Sequence, residues 1–216
     1  MTEPKTRAEQ KQRTRTNILA AALKKMNEDK GFSSLGLREV AKEAGIAPAS
    51  FYRHFANMEE LGLALVKEAE TALQAILQDA KALEEQGEDI VESSVTVCME
   101  HFRDNGALFR VLAREATGNS PLIRRAIQRC LIGLNHQLAE IIELEMRHRN
   151  RKITNPLFIA EAISTLVFNL GISTADLPYA KQKEAEKRLA HHIRAIYWGA
   201  EAMANSQRLS RNMMLS

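Results

Sequence analysis

At 216 residues the chain is long enough to bury a substantial core without disulfide or metal staples. Five prolines, ten glycines and a composition rich in Ala, Leu, Glu, Lys, Arg and Gln favour an all-α chain, and Cys98 and Cys130, which form no CxxC pair, read as small buried hydrophobes of a reducing cytosol. The net charge is only +3, but residues 1–55 hold 11 Lys/Arg against 6 Asp/Glu while the remainder holds 19 against 21, so the basic charge points to a polyanion at the N-terminal quarter.

The polar opening MTEPKTRAEQKQRTR has no apolar stretch of the kind a secretory signal needs. The longest uncharged run, Ala162 to Ala175, has 14 residues and is too short to span a bilayer, so a cytoplasmic protein with no membrane partner is expected. Ile18, Leu19, Ala22, Leu23 and Met26 recur at helical spacing and predict a first helix over about 9–29, ended by Lys30-Gly31. A short helix follows over Leu37–Ala44, with Gly36 at its N-cap and Glu39 at N3. Gly45 breaks it, and Pro48 opens a third helix that runs through Phe55.

Asn57 and Glu60 cap a fourth, longer helix that reaches about Glu85 before the EEQGED break. Its onset divides the chain into residues 1–56 and 57–216. Turn signals then separate helices over about 88–103, 106–116, 121–149, 156–174 and 179–205. Ser120-Pro121 and Asn155-Pro156 are starts of the cap-plus-proline kind, and the last ten residues are expected to fray.

Ala41, Gly45 and Phe51 have the spacing of a helix-turn-helix: a small residue where helices cross, a glycine for positive φ, and an apolar anchor in the second helix. Val40 and Ile46 fill the space between. On a helical wheel Phe51 and Phe55 point inward, Ala49 and Arg53 outward, with Tyr52 on one flank and Ser50 and His54 on the other. Such a face suits a major groove, because small residues allow close approach, arginine pairs with guanine edges, and hydroxyl or imidazole groups reach phosphates. Lys5, Arg7, Lys11, Arg13 and Arg15 form a basic lead-in.

In the C-terminal part, Leu189, Ile193, Ile196, Tyr197, Ala200 and Met203 form one apolar stripe, and Ile159, Ile163, Leu166, Val167 and Leu170 another. They are read as the seam of a four-helix bundle between two copies, with Ala195, Gly199 and Ala202 allowing close approach. Leu65, Leu73, Leu77, Met99, Phe102, Phe109, Leu112 and Phe168 suit either a sealed core or an apolar ligand tunnel, and composition does not separate the two. Catalytic, metal and cofactor sites are not expected. There is no Ser/His/Asp ordering, phosphate loop or HExxH, adjacent His191 and His192 point about 100° apart, and Glu39/Glu43 and Glu140/Glu143 read as solvated helix faces.

The segments TRTNILAAAL and LREVAKEAGIAPASFYRHFANMEELGLALV resemble the N-terminal domain of the TetR family of regulators over about residues 13–73. That resemblance implies an all-α fold of about nine helices, in which a helix-turn-helix domain precedes a ligand-binding and dimerisation domain. It also implies a homodimer on a palindromic double-stranded DNA operator, with Ala49, Ser50, Tyr52, Arg53 and His54 at recognition positions. Gly36 and Met58 stand where the family usually has a hydroxyl residue and a lysine that touch phosphate, which shifts the load onto Arg15, Arg38 and Arg53.

Two details, SLxLREVAxEAGIAPxSFYRHF followed by ELGL, and FRxLxRE from Phe109 to Glu115, are similar to repressors of unsaturated fatty acid biosynthesis within that family. They imply control of fatty acid synthesis genes by a long-chain acyl-CoA or acyl carrier protein thioester, with Arg114, Arg124 and Arg125 as candidates for its phosphates. The alternative is a regulator of efflux or catabolic genes that senses another apolar molecule.

Overall fold

The computed structural model describes residues 6–28, 31–84 and 90–213, and Lys5, Lys30 and the break at residues 85–89 lie outside them. The order of elements is α1 (Arg7–Asn27), a 3-10 turn (Phe32–Ser34), α2 (Leu37–Glu43), α3 (Pro48–Phe51), α4 (Met58–Glu84), α5 (Ile90–Asp104), α6 (Gly106–Glu115), α7 (Pro121–His148), α8 (Pro156–Thr174) and α9 (Tyr179–Met213). The described residues contain no strand, and the all-α expectation holds.

The helix starts follow their caps. Thr6 and Glu9 exchange side-chain to backbone bonds at α1. At α2 the Glu39 carboxylate accepts the Gly36 N–H at 3.2 Å, so Glu39 is a capping group and not merely solvated. Asn57 Oδ1 accepts the Glu60 N–H at 2.9 Å at α4, and Asn155 Oδ1 accepts the Phe158 N–H at 3.2 Å ahead of Pro156. Each satisfies a donor that the first turn of a helix leaves without an intrahelical partner.

Three ends differ from the sequence reading. α1 stops at Asn27, whose amide donates to the Leu23 carbonyl at 2.9 Å, and Gly31 has φ −66°, so no left-handed glycine closes this helix. α3 is shorter than expected, because Arg53 N–H to Ser50 O and His54 N–H to Phe51 O are i to i+3 bonds that tighten the chain into turns before Phe55. α9 continues to Met213 where fraying was expected; no glycine or proline interrupts the helix after Gly199.

The chain divides into two compact units, residues 1–71 with 107–130 and residues 72–106 with 131–216. The first unit reaches beyond residue 56 because α6 is bonded to its helices: Arg114 Nη2 donates to the Met26 carbonyl at 2.7 Å, and Glu115 Oε1 accepts the Phe32 N–H at 2.9 Å. In the second unit α5, α8 and α9 pack together around Met99, Ile142, Ile159 and Leu189. Gln182 pins the α8–α9 connection there, donating to the carbonyls of Ala175 and Leu177 and accepting from Arg103.

Helix α8 is, by length and composition, apolar enough to cross a membrane, with a mean hydropathy of 1.5. The single charge of Glu161 had hidden this by cutting the uncharged run. One face of α8, Ile159, Ala160, Ile163 and Gly171, is core of the second unit, while Phe158, Thr165 and Asn169 face outward.

Candidate DNA interface and apolar cavity

Gly45, at φ +68°, turns the chain between α2 and α3, and the Ile46 N–H closes the turn on the Ala41 carbonyl at 3.0 Å. A left-handed residue is needed there, which favours glycine. Val40, Ala41, Phe51 and Phe55 are sealed beneath, together with Ile18 and Ala22 of α1. Salt bridges hold α1 to α2: Glu43 pairs with Lys24 and, at 3.3 Å, with Lys25, and hydrogen bonds from both lysines hold its carboxyl below the usual range. The expectation of a merely solvated Glu43 is therefore corrected.

Above that core Ala49, Tyr52 and Arg53 are exposed, with Ser50 and His54 half-buried at their edges. Tyr52 is 63% exposed although its ring edge meets Phe51 at 5.9 Å between centroids. Arg38 at the start of α2 is exposed as well. Arg15 is held differently: its guanidinium donates to the His54 carbonyl at 2.9 Å and lies 4.1 Å over the Phe55 ring. It fastens the end of the recognition segment to α1 through a cation–π contact and a hydrogen bond. Burial, then the positive charges of Lys11, Arg15 and Arg53, holds the His54 imidazole below its ordinary pKa, so it is neutral at neutral pH.

The second unit encloses a cavity of about 120 Å³, or about 940 Å³ of unfilled space with its open mouth included. Its wall comes from α4, α5, α7, α8 and α9. Leu73, Leu77, Phe102 and Phe168 all line it, and the two phenylalanine rings meet edge to face at 5.3 Å. Gly171 lies against Phe102: a Cβ there would come within 2.5 Å of the ring. Cys98 also faces this space, and its removal from water pushes the thiol up to about 12, as expected of an inert buried cysteine.

Residues 18–65 match the sequence model of the bacterial regulatory proteins, tetR family. Over that stretch the chain is similar to this family. Solved structures share the fold over most of the chain. They include the fatty acid degradation regulator FadR from Bacillus halodurans, with 18% identity, a TM-score of 0.66, and coverage of 87% of this chain and 97% of that one. The TetR family regulator PfmR from Thermus thermophilus has 18% identity, a TM-score of 0.63, and coverage of 83% and 96%. FadR from Bacillus subtilis, in complex with stearoyl-CoA, has 18% identity, a TM-score of 0.63, and coverage of 81% and 97%. At such identities they establish the TetR-like fold alone.

The expected ligand residues do not form one group. Met99 is buried in the second unit's core. Leu65 and Leu112 line a separate space of about 20 Å³ in the first unit, where Phe109 is fully buried. The guanidinium of Arg114 bonds the Met26 carbonyl, that of Arg124 bonds the Gly118 carbonyl, and neither they nor exposed Arg125 line the cavity.

The apolar stripes of α8 and α9 are corrected too, since Leu189, Ile193, Ala200, Ile159 and Ile163 are core of their own unit. The open face of α9 is instead Ala195, Trp198, Gly199, Ala202 and Met203, with Trp198 61% exposed. Sequence reading missed Glu145, Ser94, Ser164 and Tyr197 on the cavity wall. A signal existed for Glu145, which continues the apolar register of Leu134, Leu138 and Ile142 along α7.

Proposed function

We propose that the protein is a cytoplasmic repressor that binds a palindromic operator as a homodimer and controls fatty acid synthesis genes, those for unsaturated chains in particular. Residues 1–56 form its DNA-reading part and residues 57–216 its effector and dimer part. The observation that carries the DNA reading is the exposed Ala49, Tyr52 and Arg53 surface over a core closed to solvent, which leaves these side chains facing water. Arg53 reads a base edge, Ala49 and Ser50 allow approach, Tyr52 and Arg38 reach phosphates, and Arg15 and His54 hold the end of the segment in position.

In this proposal the effector is a long-chain acyl-CoA or acyl carrier protein thioester whose hydrocarbon occupies the cavity around Phe102 and Phe168. The resemblance of FRxLxRE and ELGL to repressors of unsaturated fatty acid biosynthesis and the largely apolar wall support it. Two copies meet through the open faces of α8 and α9, where Phe158, Trp198 and Met203 are all about 60% exposed, well above what apolar side chains of a finished core retain.

A second reading, a regulator of efflux or catabolic genes that senses another apolar molecule, is favoured by one observation. Glu145 stands on the cavity wall, and no lysine, arginine or histidine does among the described residues.

Selection of bound sequences from random DNA, followed by operator titration with and without palmitoyl-CoA and palmitoleoyl-CoA, tests these readings. The expected product is an inverted repeat with half-sites about one helical turn apart, roughly 34–36 Å, upstream of lipid synthesis genes. Operator affinity should change with at least one thioester, and equally the operator should change thioester affinity. An inverted repeat without any thioester effect would leave the repressor standing and remove the acyl effector in favour of the second reading.

A further inference from the structure

Glu145 is 7% exposed and lines the largely apolar cavity of the second unit. Its Oε1 meets Arg149 Nε at 3.1 Å one helical turn on, but the Arg149 side chain is 46% exposed and is not part of the wall. The cation therefore supports an ionised carboxylate from the solvent side while the carboxylate faces the cavity. Nearby Tyr197, pushed up by burial and by the Glu145 charge, stays a neutral phenol. Ser94 and Ser164 are the remaining hydroxyls on the wall.

This arrangement has a preferred guest. A carboxylate withdrawn from water gains from each donor brought to it, and a second anion beside it in an apolar space is repelled and loses its own hydration. We propose that the cavity binds an amphiphile with an apolar body and a hydrogen-bond-donating end, hydroxyl or ammonium, received by Glu145, and that a carboxylate end is rejected there. The apolar body lies against Leu73, Phe102 and Phe168. For an acyl thioester the same carboxylate allows only the hydrocarbon end beside it. The proposal rests on the reading of this cavity as the effector site.

The test uses the full-length protein and the fluorescent apolar probe N-phenyl-1-naphthylamine, displaced by dodecylamine, dodecanol, dodecanoic acid and dodecanoyl-CoA below their micellar concentrations. Wild type is compared with Glu145→Leu, Glu145→Gln and Leu73→Trp, the last to fill the cavity. Dodecylamine and dodecanol should bind about ten-fold more tightly than dodecanoic acid, the scale of one hydrogen bond to a charged group. Glu145→Leu should erase that ranking, Glu145→Gln should keep the alcohol and lose the advantage of the amine, and Leu73→Trp should abolish displacement by all.

If Glu145→Leu does not fold by circular dichroism, the amine-to-alcohol ratio of Glu145→Gln decides. A wild type that prefers dodecanoic acid, or a ranking that survives both Glu145 variants, overturns the role of Glu145 while the cavity remains the site. Displacement unaffected by Leu73→Trp overturns the cavity reading itself, and with it the proposal.

Discussion

Around Phe51 the core of the helix-turn-helix is closed to solvent: Val40, Ala41 and Phe51 are 0% exposed and Phe55 1%. Around Phe102 and Phe168 the second unit leaves a cavity of about 120 Å³, although most of its lining is apolar too. A tight core fixes a surface, as a reader of base edges requires, because side chains there must be held in one geometry. A core with space in it can take up a guest, and the difference in packing separates the two tasks more clearly than composition does.

The largest effect should come from opening the tight core. Phe51→Ala removes a ring sealed among Val40 and Phe55 and should cost about 3–5 kcal/mol. Operator binding should vanish while probe binding in the second unit persists, as read by hydrogen exchange and displacement titration. Operator binding that survives would show that the packing around Phe51 does not hold the reading surface.

Next comes the surface itself. Arg53→Ala should cost about 1–3 kcal/mol of operator binding and relax preference at one base pair per half-site. Arg15→Ala should weaken all sequences alike, because its guanidinium holds the His54 carbonyl and the Phe55 ring. Selection from randomised operators separates the two, and a preference unchanged by Arg53→Ala would reassign that residue to phosphate.

Filling the cavity should be gentler. Leu73→Trp adds volume where space exists, so it should change stability by about 1 kcal/mol or less, under the ~1–3 typical of overpacking a dense core. Thermal unfolding checks this; a loss as large as that of Phe51→Ala would mean that the cavity closes in solution.

The smallest effect is a pH dependence. The His54 pKa is held below its ordinary 6.5 in the folded protein, first by burial and then by Lys11, Arg15 and Arg53, so the folded state binds fewer protons than the unfolded one. The contribution is present above 6.5 and is lost as pH falls from there through the depressed folded value. Urea unfolding of wild type and His54→Gln between pH 7.5 and 5 should converge toward the acid end. Curves that run parallel would remove His54 as the cause.

The recognition segment was legible in the sequence because its determinants are local. Gly45, Pro48, the Glu39 and Glu60 caps and the inward Phe51 act on neighbours within a turn or two, and short-range geometry follows from spacing alone. Even there the length of α3 was not legible, since i to i+3 bonds compete with i to i+4 bonds over only a few residues. Arg15 was recognised as basic, but its contacts were not legible, because its partners lie 39 and 40 positions away.

What the sequence determined was which residues share a helix face, as periodicity does. Helix α9 carries two apolar faces, Leu189, Ile193 and Ala200 on one and Ala195, Trp198 and Met203 on the other, and a period of 3.6 residues ranks neither above the other. Only packing against α5 and α8 decided that the first is core and the second open. The same holds for Glu145, an outlier in the apolar register of α7, whose meaning depends on the space left by residues from four other helices. Empty volume is a property of side chains brought together from distant positions, so no local pattern encodes it.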